Sequence, residues 1–242
     1  MARRRRSDHE IRAAREKILD EALILFADAG WEGFSMRKLG ARLGIAAKTL
    51  YNYFDSQDEL YLRLLIRGFR HLRASLASAA ATHSAPWDRL AALVETYVYF
   101  GFENANLYNL MFLWHVPKYD DYVGTALEGV ALVELEAALD NQRLIGDTLV
   151  EYLGHPVDED DLRFATIRIW TQIHGYVAGV NSNVIDYMHP DPGQLRTRMV
   201  EHLQLAAAAE VVALAERSGA AVPVTLRPQP AITTGRSAPS LS

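Results

Sequence analysis

Apolar residues recur at helical spacing along almost the whole chain. Ile11, Ala14, Ile18, Ala22, Leu25 and Ala29 fall on one face of a helix, and Gly30 stops the run. Ser56 and Glu59 have the spacing of a capping box, in which a hydroxyl and a carboxylate three residues apart satisfy free backbone N–H groups at a helix start. That box opens a long helix through Leu60, Leu64, Phe69 and Leu72. Later breaks fall at Ser84-Ala85-Pro86, Pro117, Gly154-His155-Pro156 and His189-Pro190-Asp191-Pro192, and a further helical pattern follows each. No stretch alternates apolar and polar residues long enough to build a sheet. The pattern from Ile11 to Ser218 predicts an all-α fold, a helical bundle with a small N-terminal unit. From Gly219 to Ser242 four of the nine prolines gather with Ser, Thr and Gly, which is the composition of a disordered tail.

Residues 35–54 carry the most specific local signals. Ser35 caps a short helix, Met36 to Leu43, whose buried positions are Met36, Leu39 and Leu43. Gly44 stands where a left-handed residue closes a helix, Ile45 plugs the turn, and a second short helix follows through Leu50 and Phe54. Two helices joined by so short a Gly turn make a helix-turn-helix. The polar face of the second helix shows Lys48, Thr49, Asn52 and Tyr53, with Tyr51 close by. Short donors and a phenol on one face can reach phosphates and base edges in a major groove.

Charge sharpens this picture. The 242 residues carry a net charge of −5, yet residues 1–56 hold 11 basic and 8 acidic side chains against 14 and 22 in the remainder. A basic end on an acidic protein points to a polyanionic partner at that end, the alternative being a solvated basic arm. Cysteine is absent, which excludes a disulfide framework, a Cys-ligated metal and thiol chemistry. No apolar run reaches the roughly 20 residues that span a bilayer. Arg3 to Arg6 resemble the front of a signal peptide, but Ser7-Asp8-His9-Glu10 follow in place of its apolar stretch. The expectation is a soluble cytoplasmic protein that does not meet a membrane.

Gly30-Trp31-Glu32-Gly33-Phe34-Ser35-Met36-Arg37-Lys38-Leu39, then Leu43-Gly44-Ile45, then Thr49-Leu50-Tyr51-Asn52-Tyr53-Phe54 resemble the DNA-binding domain of TetR-type transcriptional regulators. The resemblance runs from about Ile18 to Leu60, and Leu107–Phe112 and Trp170–Gly175 look like recurring segments of that family's ligand-binding domains. It implies a homodimer whose two heads read a palindromic operator in double-stranded DNA, and a larger domain whose ligand changes the spacing of the heads. Carried over by position, the DNA contacts are Ser35, Arg37, Lys48, Thr49, Tyr51 and Tyr53. Arg37 and Lys48 are assigned to bases, and Ser35, Thr49, Tyr51 and Tyr53 to phosphates. Two departures stand out. Ala46 occupies the capping position where the family carries Ser or Thr, and Asp55 and Gln57 stand where it places lysines. Arg3 to Arg6 offer an electrostatic replacement.

In the larger domain, seven of the 23 aromatic residues lie between Tyr97 and Trp114. Aromatic enrichment with a few polar groups suits a small-molecule cavity, though rings also fill bundle cores. The helix expected over about 158–186 carries Phe164, Ile167, Thr171, His174, Ala178 and Asn181 along one stripe. Its polar members need partners, which neighbouring helices supply most simply for Asn181, whereas His174 is the better ligand contact. The expected ligand-binding residues are Phe100, Tyr108, Phe112, Trp170 and His174, around an unidentified, largely apolar or aromatic small molecule. Asp158-Glu159-Asp160-Asp161 fit a helix start, where carboxylates meet the positive dipole end, better than a metal site. The histidines show no metal-binding spacing, and no phosphate loop or nucleophile motif is present, so no cofactor and no enzyme are expected. Helices at about 158–186 and 193–217 are the natural dimer elements, with Leu195, Met199, Leu203 and Ala206 on a stripe of the second.

The expected organisation is a basic disordered arm (1–10), a helix-turn-helix domain (11–60), a helical ligand-binding and dimerisation domain (61–218) and a disordered tail (219–242). The leading function is a sequence-specific DNA-binding regulator, a repressor released by a small molecule; repressor over activator rests on resemblance alone. The competing class is a helical small-molecule-binding protein whose head is weak or inactive, which Ala46, Asp55 and Gln57 keep open.

Overall fold

A computed structural model describes residues 7–189 and 191–219. Arg3 to Arg6 and the tail beyond Gly219 lie outside the described residues. The described chain is all helical: α1 (Asp8–Gly33), α2 (Met36–Leu43), α3 (Ala47–Leu50), α4 (Gln57–Ala81), α5 (Pro86–Glu103), α6 (Ala105–Phe112), a 3₁₀ turn (Tyr119–Tyr122), α7 (Glu128–Leu153), α8 (Glu159–Asn181), α9 (Val184–Met188) and α10 (Pro192–Arg217). None of the described helices is long and apolar enough to cross a membrane.

Helix α1 begins three residues ahead of Ile11. Ser7 Oγ accepts the Glu10 N–H at 3.2 Å and the Glu10 carboxylate accepts the Ser7 N–H at 2.7 Å, a complete capping box. Ile18, Leu19, Ala22, Leu25 and Phe26 form its buried face, whereas Ile11 stays exposed. Gly30, with φ +68°, breaks the helix where the apolar pattern stops, and Trp31 beyond it stacks toward Phe26. Phe26 also stacks on Phe34, their centroids 4.0 Å apart, so the head has an aromatic core.

Helix α4 joins this head to the second domain. It packs on α1, α5, α6 and α7, and its buried side chains run from Leu60 through Phe69 and Leu72 to Leu76. Tyr61 faces back to the head, edge-on to Trp31 at 4.8 Å, and donates its hydroxyl to the Pro117 carbonyl at 3.2 Å. Helices α8 and α10 pack on each other and on α5.

The helix expected over 158–186 is divided. Asp158 caps its start by accepting the Asp160 and Asp161 N–H groups, as the acidic run suggested, but α8 ends at Asn181. Asn183 takes a left-handed conformation (φ 59°) and α9 follows. The buried face of α8 is Ala165, Thr166, Ile169, Ile173, Tyr176 and Val177. The expected stripe turns partly outward, with Phe164 51 % and Ile167 47 % exposed, because packing against α5, α7 and α10 selects a neighbouring face. Asn181 finds partners on neighbouring elements: Nδ2 donates to the Gly101 carbonyl and to Asn109 Oδ1.

Candidate nucleic-acid interface and ligand cavity

The helix-turn-helix is built from local backbone demands. Ser35 Oγ accepts the Lys38 N–H at 3.2 Å and starts α2. Gly44 ends it with φ +67°, a conformation open to a residue without a Cβ. The turn then closes on backbone: Ile45 N–H donates to the Gly40 carbonyl at 2.9 Å. A Cβ on Gly40 would lie 2.8 Å from the Ile45 carbonyl oxygen and 3.1 Å from the Ala47 nitrogen, so glycine lets α2 and α3 meet. The Ile45 side chain does not plug the turn. It is 37 % exposed, and it is the Ile45 main chain that lies against Gly40.

Helix α3 spans Ala47–Leu50, and Ala46 at its start makes no side-chain cap, as expected for alanine. Beyond Leu50 the chain winds tighter, with Tyr53 N–H donating to the Leu50 carbonyl at 2.9 Å and Phe54 N–H to the same oxygen at 3.1 Å. This changes the face assigned to Tyr53. Its residue is only 8 % exposed and belongs to the core with Leu50 and Phe54, whereas Tyr51 is half exposed and Asn52 exposed. Ser35 and Thr49 are partly exposed, and Arg37 and Lys48 are exposed.

Ion pairs sort the cations of the head. Arg42 is held by Glu21 at 2.6 Å and Asp28 at 3.5 Å. Arg67 is held by Asp20 at 2.8 Å and Glu16 at 3.1 Å. Lys38 donates its ammonium to the Gly33 carbonyl at 2.6 Å. Arg15 lies over the Phe54 ring at 4.5 Å and 3.8 Å from Glu59, which also accepts from Arg63 at 3.1 Å. Among the described cations of α1 to α3, Arg12, Lys17, Arg37 and Lys48 are left with no ion-pair or hydrogen-bond partner, and the last two sit on the helix-turn-helix. The capping box expected at Ser56 is half formed. Ser56 Oγ accepts the Glu59 N–H at 3.0 Å, but the Glu59 carboxylate reaches one residue further back to the Asp55 N–H at 2.7 Å.

The second domain holds a cavity of about 960 Å³ between α4, α5, α7 and α8. Phe112 and Trp170 line it, together with Phe69, Leu72, Tyr97 and Ile145. Phe100, Tyr108 and His174, expected around the same space, are not on its lining. Phe100 stands about 60° around α5 from Tyr97, since helical residues three apart are separated by roughly 300°. It meets His71 edge-on at 5.3 Å and lines a separate polar groove. Tyr108 and His174 stand behind the wall in a hydrogen-bonded chain. Trp170 Nε1–H donates to Tyr97 Oη at 2.8 Å, the Tyr97 and Tyr108 hydroxyls are 3.4 Å apart, and Tyr108 Oη is 2.7 Å from His174 Nδ1. Burial lowers the His174 pKa and pushes the Tyr97 phenol up to about 12, although its hydrogen bonds to Tyr108 and Trp170 oppose that rise. Neutral His174 can accept the Tyr108 proton, which lets every hydroxyl in the chain donate in one direction. Ring density between Tyr97 and Trp114 pointed to Tyr108 and Phe112, the family-like segment to Trp170 and the stripe along α8 to His174; their division between cavity and wall depends on tertiary packing.

Comparison with known proteins agrees with this architecture. Residues 18–64 match the model of bacterial regulatory proteins of the tetR family, and residues 90–203 match that of a tetracyclin repressor-like C-terminal domain. The HTH-type transcriptional activator FasR of Mycolicibacterium smegmatis is 32 % identical over 98 residues, which are 40 % of this chain and 45 % of FasR. The chain therefore spans less than half the length of that relative in the aligned region. The HTH-type transcriptional regulator Rv0681 of Mycobacterium tuberculosis is 22 % identical over 74 % of this chain and 75 % of its own. Among solved structures, the transcriptional regulator FadR from Bacillus subtilis, in complex with stearoyl-CoA, shares the fold with a TM-score of 0.59 at 17 % identity, over 78 % of this chain and 96 % of FadR. With the helix-turn-helix head and the helical second domain matched in order along one chain, the protein belongs to the TetR family of DNA-binding transcriptional regulators.

Proposed function

We propose that the protein is a cytoplasmic homodimeric repressor that binds a palindromic operator and releases it when a largely apolar small molecule fills the α4–α8 cavity. The observation that carries this reading is the pair of unpartnered, exposed cations Arg37 and Lys48 on a helix-turn-helix whose other two cations, Lys38 and Arg42, are engaged. In this reading Arg37 and Lys48 meet bases, while Ser35, Thr49 and Tyr51 donate to phosphates. Tyr53 contributes through the small part of it that remains exposed. Residues 1–6 act as a basic arm ahead of a head that opens at the Ser7 cap of α1 and runs to about residue 60, and residues 61–218 bind ligand and dimerise. Phe112 and Trp170 touch the ligand, and Tyr108 and His174 hold the wall behind them. Phe100 belongs to the packing of α5 on α4. The stearoyl-CoA complex of FadR supports a second domain that accommodates a small molecule. FasR, an activator, is the relative that keeps activation as the second reading.

Footprinting on the DNA upstream of the protein's own gene tests the proposal. The expected result is protection of two half-sites about 34–36 Å apart, centre to centre. Protection of one half-site, or none at any protein concentration, contradicts it, and the latter would favour a helical ligand-binding protein with an inactive head.

A further inference from the structure

The cavity wall offers a ligand one particular kind of polar partner. Asn141 lines the cavity and is 7 % exposed. Its Nδ2 donates to the carbonyls of Phe69 at 3.2 Å and Ala137 at 2.9 Å. Turning the amide over would set its oxygen against those two carbonyl oxygens, so the two bonds fix its orientation. Oδ1 is then buried without a hydrogen-bond partner, a destabilising arrangement that calls for an explanation.

The charged residues of the lining point the same way. Arg143 is held by Asp140 at 2.5 Å and Glu136 at 2.7 Å, and Arg163 by Glu159 at 2.7 Å. Asp147 is exposed at the cavity and has neither an ion-pair nor a hydrogen-bond partner among the described residues. The uncompensated charge is therefore a carboxylate. The Gln142 amide offers donor and acceptor alike, and the surrounding wall is apolar, with Leu72, Leu76, Ile145 and Leu162.

We infer that the cavity takes an apolar molecule whose polar end is a hydrogen-bond donor, a hydroxyl or an ammonium, in preference to a carboxylate or phosphate. This rests on the reading of the cavity as the effector site. A donor satisfies Asn141 Oδ1, and an ammonium also gains from Asp147. A carboxylate brings acceptors to acceptors, and pairs with a guanidinium only by competing with carboxylates already in place.

Isothermal titration of the full-length protein with decylamine, 1-decanol, decyl methyl ether and decanoate reads the preference. Decylamine and decanol are expected to bind at least about tenfold tighter than the ether and decanoate, in line with the discrimination a site shows when its buried polar group is left unpaired. Asp147→Asn is expected to weaken decylamine several-fold and leave decanol unchanged. Asn141→Leu is expected to abolish the advantage of decanol over the ether. That variant also gives up the bonds to Phe69 and Ala137, so a thermal melt accompanies it, while exposed Asp147 provides a test free of that risk. Equal binding of all four probes, tighter binding of decanoate, or a decanol advantage that survives Asn141→Leu overturns the inference and leaves the effector site standing. Binding of none of the four overturns both.

Discussion

The carboxylate of Glu59 accepts the backbone N–H of Asp55 at 2.7 Å. That bond fastens the turn leaving α3 to the first turn of α4, and Arg15 of α1 reinforces it from above Phe54. The same helix supplies Phe69, Leu72 and Leu76 to the cavity. The turn after α3 and the wall of the cavity thus share one continuous element, which gives the proposed coupling a mechanical route. A ligand moves the heads only to the extent that it binds one α4 position better than another.

Glu59→Ala removes a nearly buried acceptor used by Asp55 and Arg63. Hydrogen bonds to charged groups are worth about 1.5–3 kcal/mol, so the variant is expected to lose that much in urea denaturation. Operator affinity is expected to fall as well, because the turn after α3 is no longer held. A variant with unchanged stability and affinity would remove this link.

Gly40→Ala tests the close approach within the head. The added Cβ meets main chain at 2.8 Å, which cannot yield as a side-chain tip can. Overpacking of this kind costs about 1–3 kcal/mol, and DNA binding is expected to weaken with it. Denaturation and a mobility shift on the same sample check both.

Dimer formation is expected through the outward faces of α8 and α10. Phe164 and Ile167 on α8 and Leu205 on α10 are large apolar side chains left exposed on the single chain. Phe164→Glu combined with Leu205→Glu is expected to give monomers by sedimentation velocity with the helical content retained. Such monomers are expected to lose tight operator binding although Arg37 and Lys48 are untouched. A variant that sediments as a dimer rules out this face.

Glu134 gives a pH dependence with a defined sign. Burial raises its pKa from 4.5 to about 6, although Lys118 opposes the rise. A carboxyl with a raised folded-state pKa binds its proton more tightly when folded, so its contribution favours the fold below the unfolded value and is lost as pH rises through about 6. Glu134→Gln is therefore expected to be more stable than the parent at pH 8, by on the order of 1 kcal/mol. The difference is expected to vanish below about pH 4.5, where both states of the parent carry the proton. Melting curves across that range check it, and a gap that widens toward acid pH would reverse the assignment.

Much of the head was legible because its signals are local. Ser35, Gly44 and the stop at Gly30 each answer a backbone requirement that does not depend on the rest of the molecule. The box formed by Ser7 and Glu10 obeys the same rule, and its Ser-x-x-Glu spacing is equally readable. Where packing decides, the sequence fell short. Ile45, expected to plug the turn, is exposed, and Tyr53, expected on the polar face of the second helix, is buried, since α3 stops at Leu50 and the chain beyond it winds tighter. The break at Asn183 was hidden because apolar Val184 and Ile185 continue the helical pattern across it, and only the asparagine hints at a left-handed residue. The aromatic cluster was found as a group, yet its division into Phe112 and Trp170 on the cavity and Tyr108 and His174 behind it depends on how α5, α6 and α8 rotate against one another.

Operator binding by way of Arg37 and Lys48 is measured most directly by fluorescence anisotropy against salt. The full-length protein and the Arg37→Ala/Lys48→Ala double variant are titrated with a labelled duplex from the protein's own upstream region and with a scrambled duplex of equal length. The predicted result is a preference for the upstream duplex that the double variant largely loses, each contact contributing about 1–3 kcal/mol, while its unfolding free energy stays within about 0.5 kcal/mol of the parent's. The logarithm of affinity is also expected to fall with the logarithm of salt by about 0.9 per phosphate engaged. Equal affinity of the parent for both duplexes, or a double variant that binds the upstream duplex as tightly as the parent, would contradict the account.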